Sequence, residues 1–506
     1  METDMSKKNI LFITSDQQHF STLGVLNPKI KTPNLDRLAE RGMLFDRAYC
    51  PNPVCTPSRA SMITGQYPSF HEAWTIGCML PEDTQTIGHQ LMENGYRTGL
   101  IGKAHFHPLA RTEEYPSLEC LPILRDLDFW RDFRGPWYGF ETIELTRNHT
   151  DEGWVGMHYA IWMEEQGFDW EPHFEKIGEN GRRINSKERL SWSLPEEYHY
   201  NVWIREKTNL FIDQAVGEDK PFMAWASFHD PHPSYLVPEP WASMYSPDDM
   251  EPGEYLEGEH EKNPPHFALT RDRDADWSDY REEHASHGCH YHNNDRKKLQ
   301  EDMAVYYGMV SFMDHEIGKI LDHLDKKGLT DDTLIVFTTD HGHFLGQHGL
   351  TAKGPFHYED MIKIPMIAAG PGVTAGKRSR ALQSLVDLVP TWLDYAGLPI
   401  SGEVQGVSQW DVWQGKEKAA RDWCLVENRH QPRTVHLRTL VTDRYKITVY
   451  RERPEGELFD LEQDPDERNN LWNDPESQDL KLQMMQQFLS AEMEREPTRM
   501  ARIAGA

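Results

Sequence analysis

The chain has 506 residues, with 82 acidic against 53 basic side chains and a formal charge of −29. An acidic surplus of this size argues against a generalist nucleic-acid binder and against an anionic-membrane binder, since both need a basic footprint. The 16 Trp, 19 Tyr and 20 Phe exclude a disordered chain, and the length accommodates two domains or one large core with a satellite.

Asn9–Ser15 reads as a β-branched strand, and Thr32-Pro33 opens a helix that runs through Arg41 and stops at Gly42. Thr84–Asn94 is predicted helical up to Gly95, and Tyr96–Ile101 extended. Pro221–Phe228 is a strand, Arg296–Lys327 one long amphipathic helix ending at Gly328, and Thr333–Thr339 an apolar strand ending in Asp340. Ile364–Ala369 is a further strand, and Arg380–Ala396 a helix closed by Gly397. Strands separated by helices predict an α/β fold, a large mostly parallel sheet sandwiched by helices. From about Gly415 the pattern changes to short alternating strands, Trp423–Glu427, Thr434–Thr442, Tyr445–Tyr450 and Glu457–Asp460, followed by a polar helix. The expected organisation is a catalytic α/β domain over 1–414 and a small antiparallel α+β domain over 415–506.

Two regions interrupt this rhythm, about 108–200 and 238–295, and are expected to wall the ligand-binding edge. The first holds Trp130, Trp137, Trp154, Trp162, Trp170 and Trp192, which would either stack on sugar faces or form a satellite core. No run approaches ~20 apolar residues, so no membrane span is predicted. The run Ile10–Ile13 is too short for a signal peptide, and the chain as written reads as cytoplasmic. Cys50, Cys55, Cys78, Cys120, Cys289 and Cys424 form no disulfide framework and fit reduced thiols.

Several short segments carry chemistry. In Cys55-Thr56-Pro57-Ser58-Arg59 a thiol precedes a Pro-Ser-Arg able to open a helix, whose free N–H groups attract anions; alone, such a Cys is more simply a buried turn residue. Asp16-Gln17 and Thr339-Asp340-His341-Gly342 end two strands, where carboxylate, amide and imidazole groups suit a hard divalent cation or serve as ordinary turns. Lys103 and His105 follow a strand and would share one site only if that strand has already ended. His229 and His232 in Phe228-His229-Asp230-Pro231-His232-Pro233 are candidate proton donors or solvated loop residues, and Lys353 in Ala352-Lys353-Gly354 is a candidate anion ligand or a surface charge. His284, His287, Cys289, His290 and His292 make a metal-like cluster with no standard spacing.

Taken together, the segments resemble the type I sulfatases of the alkaline phosphatase superfamily. Cys55–Gly65 matches C-x-P-S-R-x-x-x-L-T-G with Ile63 in place of Leu, and Gly102–His105 matches G-K-W-H with Ala104 in place of Trp. Pro231-His232, Lys353 ahead of Tyr358-Glu359, and Arg444-Tyr445-Lys446 with Glu457-Leu458-Phe459-Asp460-Leu461, Asp464-Pro465 and Glu467 extend the match to about Leu471. Asp360-Met361 stand where the usual pattern has Gly-Gly.

The resemblance implies that a maturation enzyme converts Cys55 to formylglycine, whose hydrate attacks sulfur. It also implies that Asp16, Gln17, Asp340, His341 and the modified Cys55 hold a divalent metal, Ca²⁺ first, with Mg²⁺ or Mn²⁺ as alternatives. Arg59, Lys103 and Lys353 would bind the sulfate, His232 would protonate the leaving oxygen, and His105 would act on the second hydroxyl. The expected substrate is a sulfated carbohydrate or a small aryl or alkyl sulfate. Gln17 and His341 also resemble the phosphonate monoester and phosphodiester hydrolases, which stand as the alternative activity. An anion- or sugar-binding protein with an unconverted Cys55 is the non-enzymatic one.

Overall fold

The computed structural model describes residues 8–175, 191–282, 288–292, 295–431, 434–496 and 503. Its frame is an eight-stranded sheet in the order Lys377–Ser379, Gly42–Phe45, Met366–Ala369, Thr333–Thr339, Asn9–Ser15, Phe222–Ser227, Arg97–Gly102, Thr142–Leu145. All neighbours run parallel except Met366–Ala369, which is antiparallel to both of its partners.

Alternation along the strands divides the interior into two cores. Ile10, Phe12, Trp225 and Val336 face one layer, which holds the helix Cys55–Thr64. Leu11, Ile13, Ala224 and Phe337 face the other, packed under the helices Pro33–Arg41, Tyr200–Gly217 and Arg296–Lys327. Because the central strands are covered on both faces, they read as unbroken apolar runs, and Asn9–Ser15 and Thr333–Thr339 have the predicted bounds.

Three predicted elements are corrected. The helix expected over Thr84–Asn94 spans Ile87–Glu93, because Thr86 caps it by accepting the His89 N–H. The helix expected from Arg380 begins at Leu388, since Gln383–Ser384 pairs as a strand and Asp387 is bound by Arg421 at 2.7 Å. The strand expected over Ile364–Ala369 breaks at Pro365: Lys363–Ile364 pairs with Ala48–Tyr49, and only Met366–Ala369 joins the main sheet.

The first interrupting region is structural as well as lining. It supplies the edge strand Thr142–Leu145 and the helices Leu127–Asp132 and Met157–Glu165. Trp130, Trp137, Trp162, Trp170 and Trp192 are buried in the two cores, and Trp154 packs against the first. They extend the main cores rather than forming a satellite one, and the five buried tryptophans offer no exposed sugar platform. Beyond the main sheet, Trp423–Gln431, Val435–Thr442, Tyr445–Tyr450 and Gly456–Asp460 form an antiparallel meander. The helix Gln478–Glu494 covers one face of it with Met484, Phe488 and Ala491. No described helix is long and apolar enough to cross a membrane.

Candidate active site

The C-terminal ends of the central parallel strands converge on one point, the usual position for ligands in such sheets. Asp16 and Gln17 leave Asn9–Ser15, Asp340 and His341 leave Thr333–Thr339, and Lys103 leaves Arg97–Gly102. Cys55 opens a ten-residue helix in which every residue is buried. Its N-cap, Val54, contributes no side-chain cap, so the helix N-terminus presents free N–H groups and a positive dipole end toward the thiol.

Around Cys55 the distances are short. Lys353 Nζ lies 3.1 Å from Sγ, His341 Nε2 3.2 Å and Asp16 Oδ1 3.7 Å. Burial pushes the thiol up, but the ammonium groups of Lys103 and Lys353 outweigh it and bring the group down to about 6. Lys103 forms a fully buried ion pair with Asp16 and lies 2.8 Å from His149 Nε2. Burial opposes ionisation of Asp16, yet Lys103, His232 and a hydrogen bond with His149 hold its carboxyl well below the usual range.

Asp340 organises the opposite wall. Its Oδ1 accepts the Gln17 and His341 backbone N–H groups at 2.9 and 3.0 Å, and its Oδ2 accepts Arg59 Nε at 2.9 Å. Arg59 Nη1 donates to the Lys103 carbonyl and to Ser227 Oγ, whereas its buried Nη2 has no partner among the described residues and leaves N–H donors for an anion.

The strand ends at Gly102, φ 108°, where a Cβ would stand 1.9 Å from the Ser227 carbonyl oxygen. Only glycine fits this exit, and it lets Lys103 and His105 turn into the same pocket. His105 Nε2 faces Arg147 Nη2 at 2.8 Å, so the imidazole accepts there and carries its proton on Nδ1, which has no partner among the described residues. Burial first, then Arg147 and Lys103, holds His105 well below its ordinary pKa and therefore neutral.

His232 Nε2 is 3.3 Å from Lys353 Nζ, and its Nδ1 donates to the Pro233 carbonyl. Its ring stacks on His149 with centroids 3.7 Å apart. His229 stands beside them, its Nε2 3.3 Å from the Thr146 carbonyl. In the other candidate cluster, Cys289 lies in an apolar nest with Trp277, Tyr280 and Tyr450. His292 is engaged by Thr351 and Gly288, while His284 and His287 lie outside the described residues. Among the described residues this cluster is not a metal-ligating group.

The residues at the sheet edge do fit a divalent cation. One donor atom from each of Asp16, Cys55, Asp340 and His341 lies within 4.8 Å of the others. His341 Nδ1 donates to the Gly342 carbonyl at 3.0 Å, which leaves the Nε2 lone pair facing inward. Gln17 Nε2 donates to His343 Nδ1 at 2.8 Å, so its buried Oε1 is left without a hydrogen-bond partner among the described residues, as a metal-ligating carbonyl would be. Oxygen donors with one imidazole suit a hard divalent ion.

Sequence reasoning missed Arg147, His149, Tyr235 and His343. Arg147 and His149 follow the edge strand Thr142–Leu145, and recognising that strand would have pointed to its C-terminal end. His343 lies two residues beyond His341, and only the fold shows that it meets Gln17.

The ends of the parallel strands thus gather a buried thiol, a carboxylate cluster fit for a cation and three cationic side chains, a set suited to an anionic ligand. The chain belongs to the sulfatase family, whose profile matches residues 8–398, and a profile for the C-terminal region of N-sulphoglucosamine sulphohydrolase matches residues 346–494. An arylsulfatase of Clostridium perfringens is 29% identical over 504 residues, covering 96% of this chain and 95% of that protein. Among solved structures, phosphonate monoester hydrolase from Silicibacter pomeroyi superposes with a TM-score of 0.78 at 23% identity, covering 97% and 96% of the two chains. A protein solved with its substrate D-glucosamine-2-N,6-O-disulfate superposes with a TM-score of 0.68 at 21% identity, covering 97% and 98%. The chain is therefore a sulfuric ester hydrolase with an alkaline-phosphatase-like fold, and its family uses a divalent metal and formylglycine.

The Gln17 orientation gives a direct expectation. His343 also holds Tyr235 OH at 2.7 Å through Nε2, so its ring, and with it the amide of Gln17, is fixed from behind. His343→Leu is expected to weaken divalent-metal binding ~10–100-fold, read by calorimetric titration of metal-free protein with calcium. Unchanged affinity would show that the amide keeps its orientation without this support.

Proposed function

We propose that this sulfatase cleaves a small or terminal sulfate ester, on a sugar or on an aryl or alkyl alcohol, with Cys55 converted to formylglycine as the nucleophilic position. The observation that carries the reading is the convergence on Cys55 Sγ of Lys353, His341 and Asp16, at 3.1, 3.2 and 3.7 Å, on the free end of a buried helix. Converted Cys55 supplies a hydrated aldehyde whose hydroxyl attacks sulfur. Asp16, Gln17, Asp340, His341 and residue 55 would hold a divalent cation, calcium best matching an oxygen-rich set, which would supply positive charge to the site.

Arg59, Lys103 and Lys353 neutralise the sulfate oxygens and the charge that grows on them. His232 donates through Nδ1 to Pro233 and accepts the Lys353 ammonium at Nε2, so it protonates the departing alcohol only after Nε2 has itself taken up a proton and Lys353 has turned away to the sulfate. Arg147 occupies the acceptor nitrogen of His105, so His105 takes a proton from the second hydroxyl only after Arg147 releases it. The net charge of −29 opposes long polyanions at a distance, and screening over ~8–10 Å leaves the local cations to dominate for a small ester. A sulfated sugar is further supported by the neighbour that takes a disulfated glucosamine, and an aryl ester by the arylsulfatase relative.

The test has two parts. Peptide mass spectrometry should find residue 55 about 18 Da lighter than cysteine, the difference between thiol and aldehyde. Converted enzyme should then turn over sulfate esters with a higher kcat/KM than the matching phosphonate monoesters. The reverse preference would assign the phosphonate activity, and a retained thiol without turnover would leave an anion-binding protein.

A further inference from the structure

Lys446 and Glu467 belong to the C-terminal motif, yet neither faces solvent: their relative exposures are 0% and 2%. Lys446 lies on Tyr445–Tyr450 and Glu467 on the turn after Gly456–Asp460, and the two side chains form a buried ion pair. Both also grip the backbone of one segment of the catalytic region. Lys446 Nζ donates to the His357 carbonyl at 2.5 Å, and Glu467 Oε2 accepts the Glu359 N–H at 2.6 Å. His357 Nδ1 meets Thr439 Oγ1 at 2.7 Å, and Thr439 in turn meets Thr448 across the same sheet at 2.8 Å.

That segment lines the active site on its other side. Lys353, near its start, reaches Cys55 Sγ at 3.1 Å. Asp360 accepts from His19 at 2.9 Å, and the Asp360 and Met361 carbonyls accept the His343 and Gly342 N–H groups at 3.1 and 2.9 Å. A buried ion pair is a poor device for stability, because two charges lose their hydration and an apolar pair of similar volume does as well. Its directional hydrogen bonds are another matter, since two charge-assisted bonds on residues two apart fix both the height and the direction of a strand-free backbone. Glu467 adopts φ 54°, a left-handed conformation disfavoured for a side chain with a Cβ, which the surrounding structure must enforce.

We infer that Lys446 and Glu467 are positioning residues for catalysis: they pin the backbone at His357 and Glu359 and thereby aim Lys353 at the nucleophile. This rests on the reading of Lys353 as a sulfate-binding group. The C-terminal sheet is then part of the catalytic apparatus without touching substrate.

The experiment uses converted, metal-loaded enzyme with para-nitrophenyl sulfate as substrate and inorganic sulfate as inhibitor. Lys446→Met combined with Glu467→Gln removes both charges together, so no buried charge is stranded. The pair should lower kcat/KM ~10–100-fold and weaken sulfate inhibition while the unfolding transition stays cooperative. In a Lys353→Ala background the same pair should cost no more than about twofold, because the group it positions is gone. An equal loss in both backgrounds, or an unchanged kcat/KM in the folded variant, overturns the inference. If Lys353→Ala alone leaves kcat/KM and sulfate inhibition intact, it is the role of Lys353 that fails. Should the neutral pair not fold, Thr439→Val removes one hydroxyl, with its bonds to His357 and Thr448, and carries the same cycle with a smaller, ~3–10-fold, loss; equal losses in its two backgrounds overturn the inference in the same way.

Discussion

Cys55→Ala is expected to reduce turnover of any sulfate ester by at least ~10⁴-fold, with the fold retained. The reason is chemical rather than architectural. No neighbouring group can substitute as the nucleophile, because Asp16 and Asp340 are committed to Lys103, Arg59 and two backbone N–H groups, and His341 is fixed by Gly342. Cys55→Ser, with residue 55 shown by peptide mass to be an unoxidised serine, keeps one hydroxyl and no geminal diol, so it should be almost as inactive under multiple-turnover conditions. Steady-state kinetics, with thermal unfolding as the control for folding, decides the matter. Residual activity near the unsubstituted level in Cys55→Ala would remove the nucleophile and with it the proposed chemistry.

Asp340→Ala should be the most damaging substitution for both structure and function. Asp340 and Arg59 both have side chains at 0% exposure, so removing the carboxylate strands a buried guanidinium whose Nη2 already lacks a partner among the described residues. A loss of ~3–5 kcal/mol in folding stability follows from breaking a buried pair on one side. The same change frees the Gln17 and His341 N–H groups and deletes the carboxylate proposed as a metal donor, so divalent-metal binding should also be lost. Asp340→Asn separates the two effects: it keeps an acceptor for the backbone N–H groups and should retain more stability, but not the metal. Denaturant unfolding together with elemental analysis of metal content is the test. A variant that keeps stoichiometric metal and loses less than about 1 kcal/mol would contradict the geometry described for this wall.

Much of this site is legible in the linear chain because its groups sit at strand ends and a helix start. Asp16-Gln17 and Asp340-His341 follow strands whose apolar runs are uninterrupted, and Cys55 precedes a Pro-Ser-Arg in a helix closed by Gly65, so type and location both leave a local signature. Arg147 and His149 carry no such mark. Their strand, Thr142–Leu145, is only four residues long, lies at the sheet edge and alternates buried with half-buried positions. Short edge strands give too little periodicity to stand out from a loop. The antiparallel run of Met366–Ala369 is likewise invisible from within, since an apolar tetrapeptide reads the same in either direction.

Sequence alone determined the layered α/β architecture, the membership in a hydrolase family and the seven cationic, imidazole and thiol groups expected at the site, because periodicity and motif spacing are properties of neighbouring residues. Tertiary structure decided what those groups do to one another. Arg147 sets which nitrogen of His105 bears the proton, His343 sets which end of the Gln17 amide faces inward, and the C-terminal sheet grips the backbone beside Lys353. Each of these depends on side chains far apart in the chain meeting in a medium without water, where a hydrogen bond or a charge a few ångströms away fixes a proton or an orientation that no local pattern encodes.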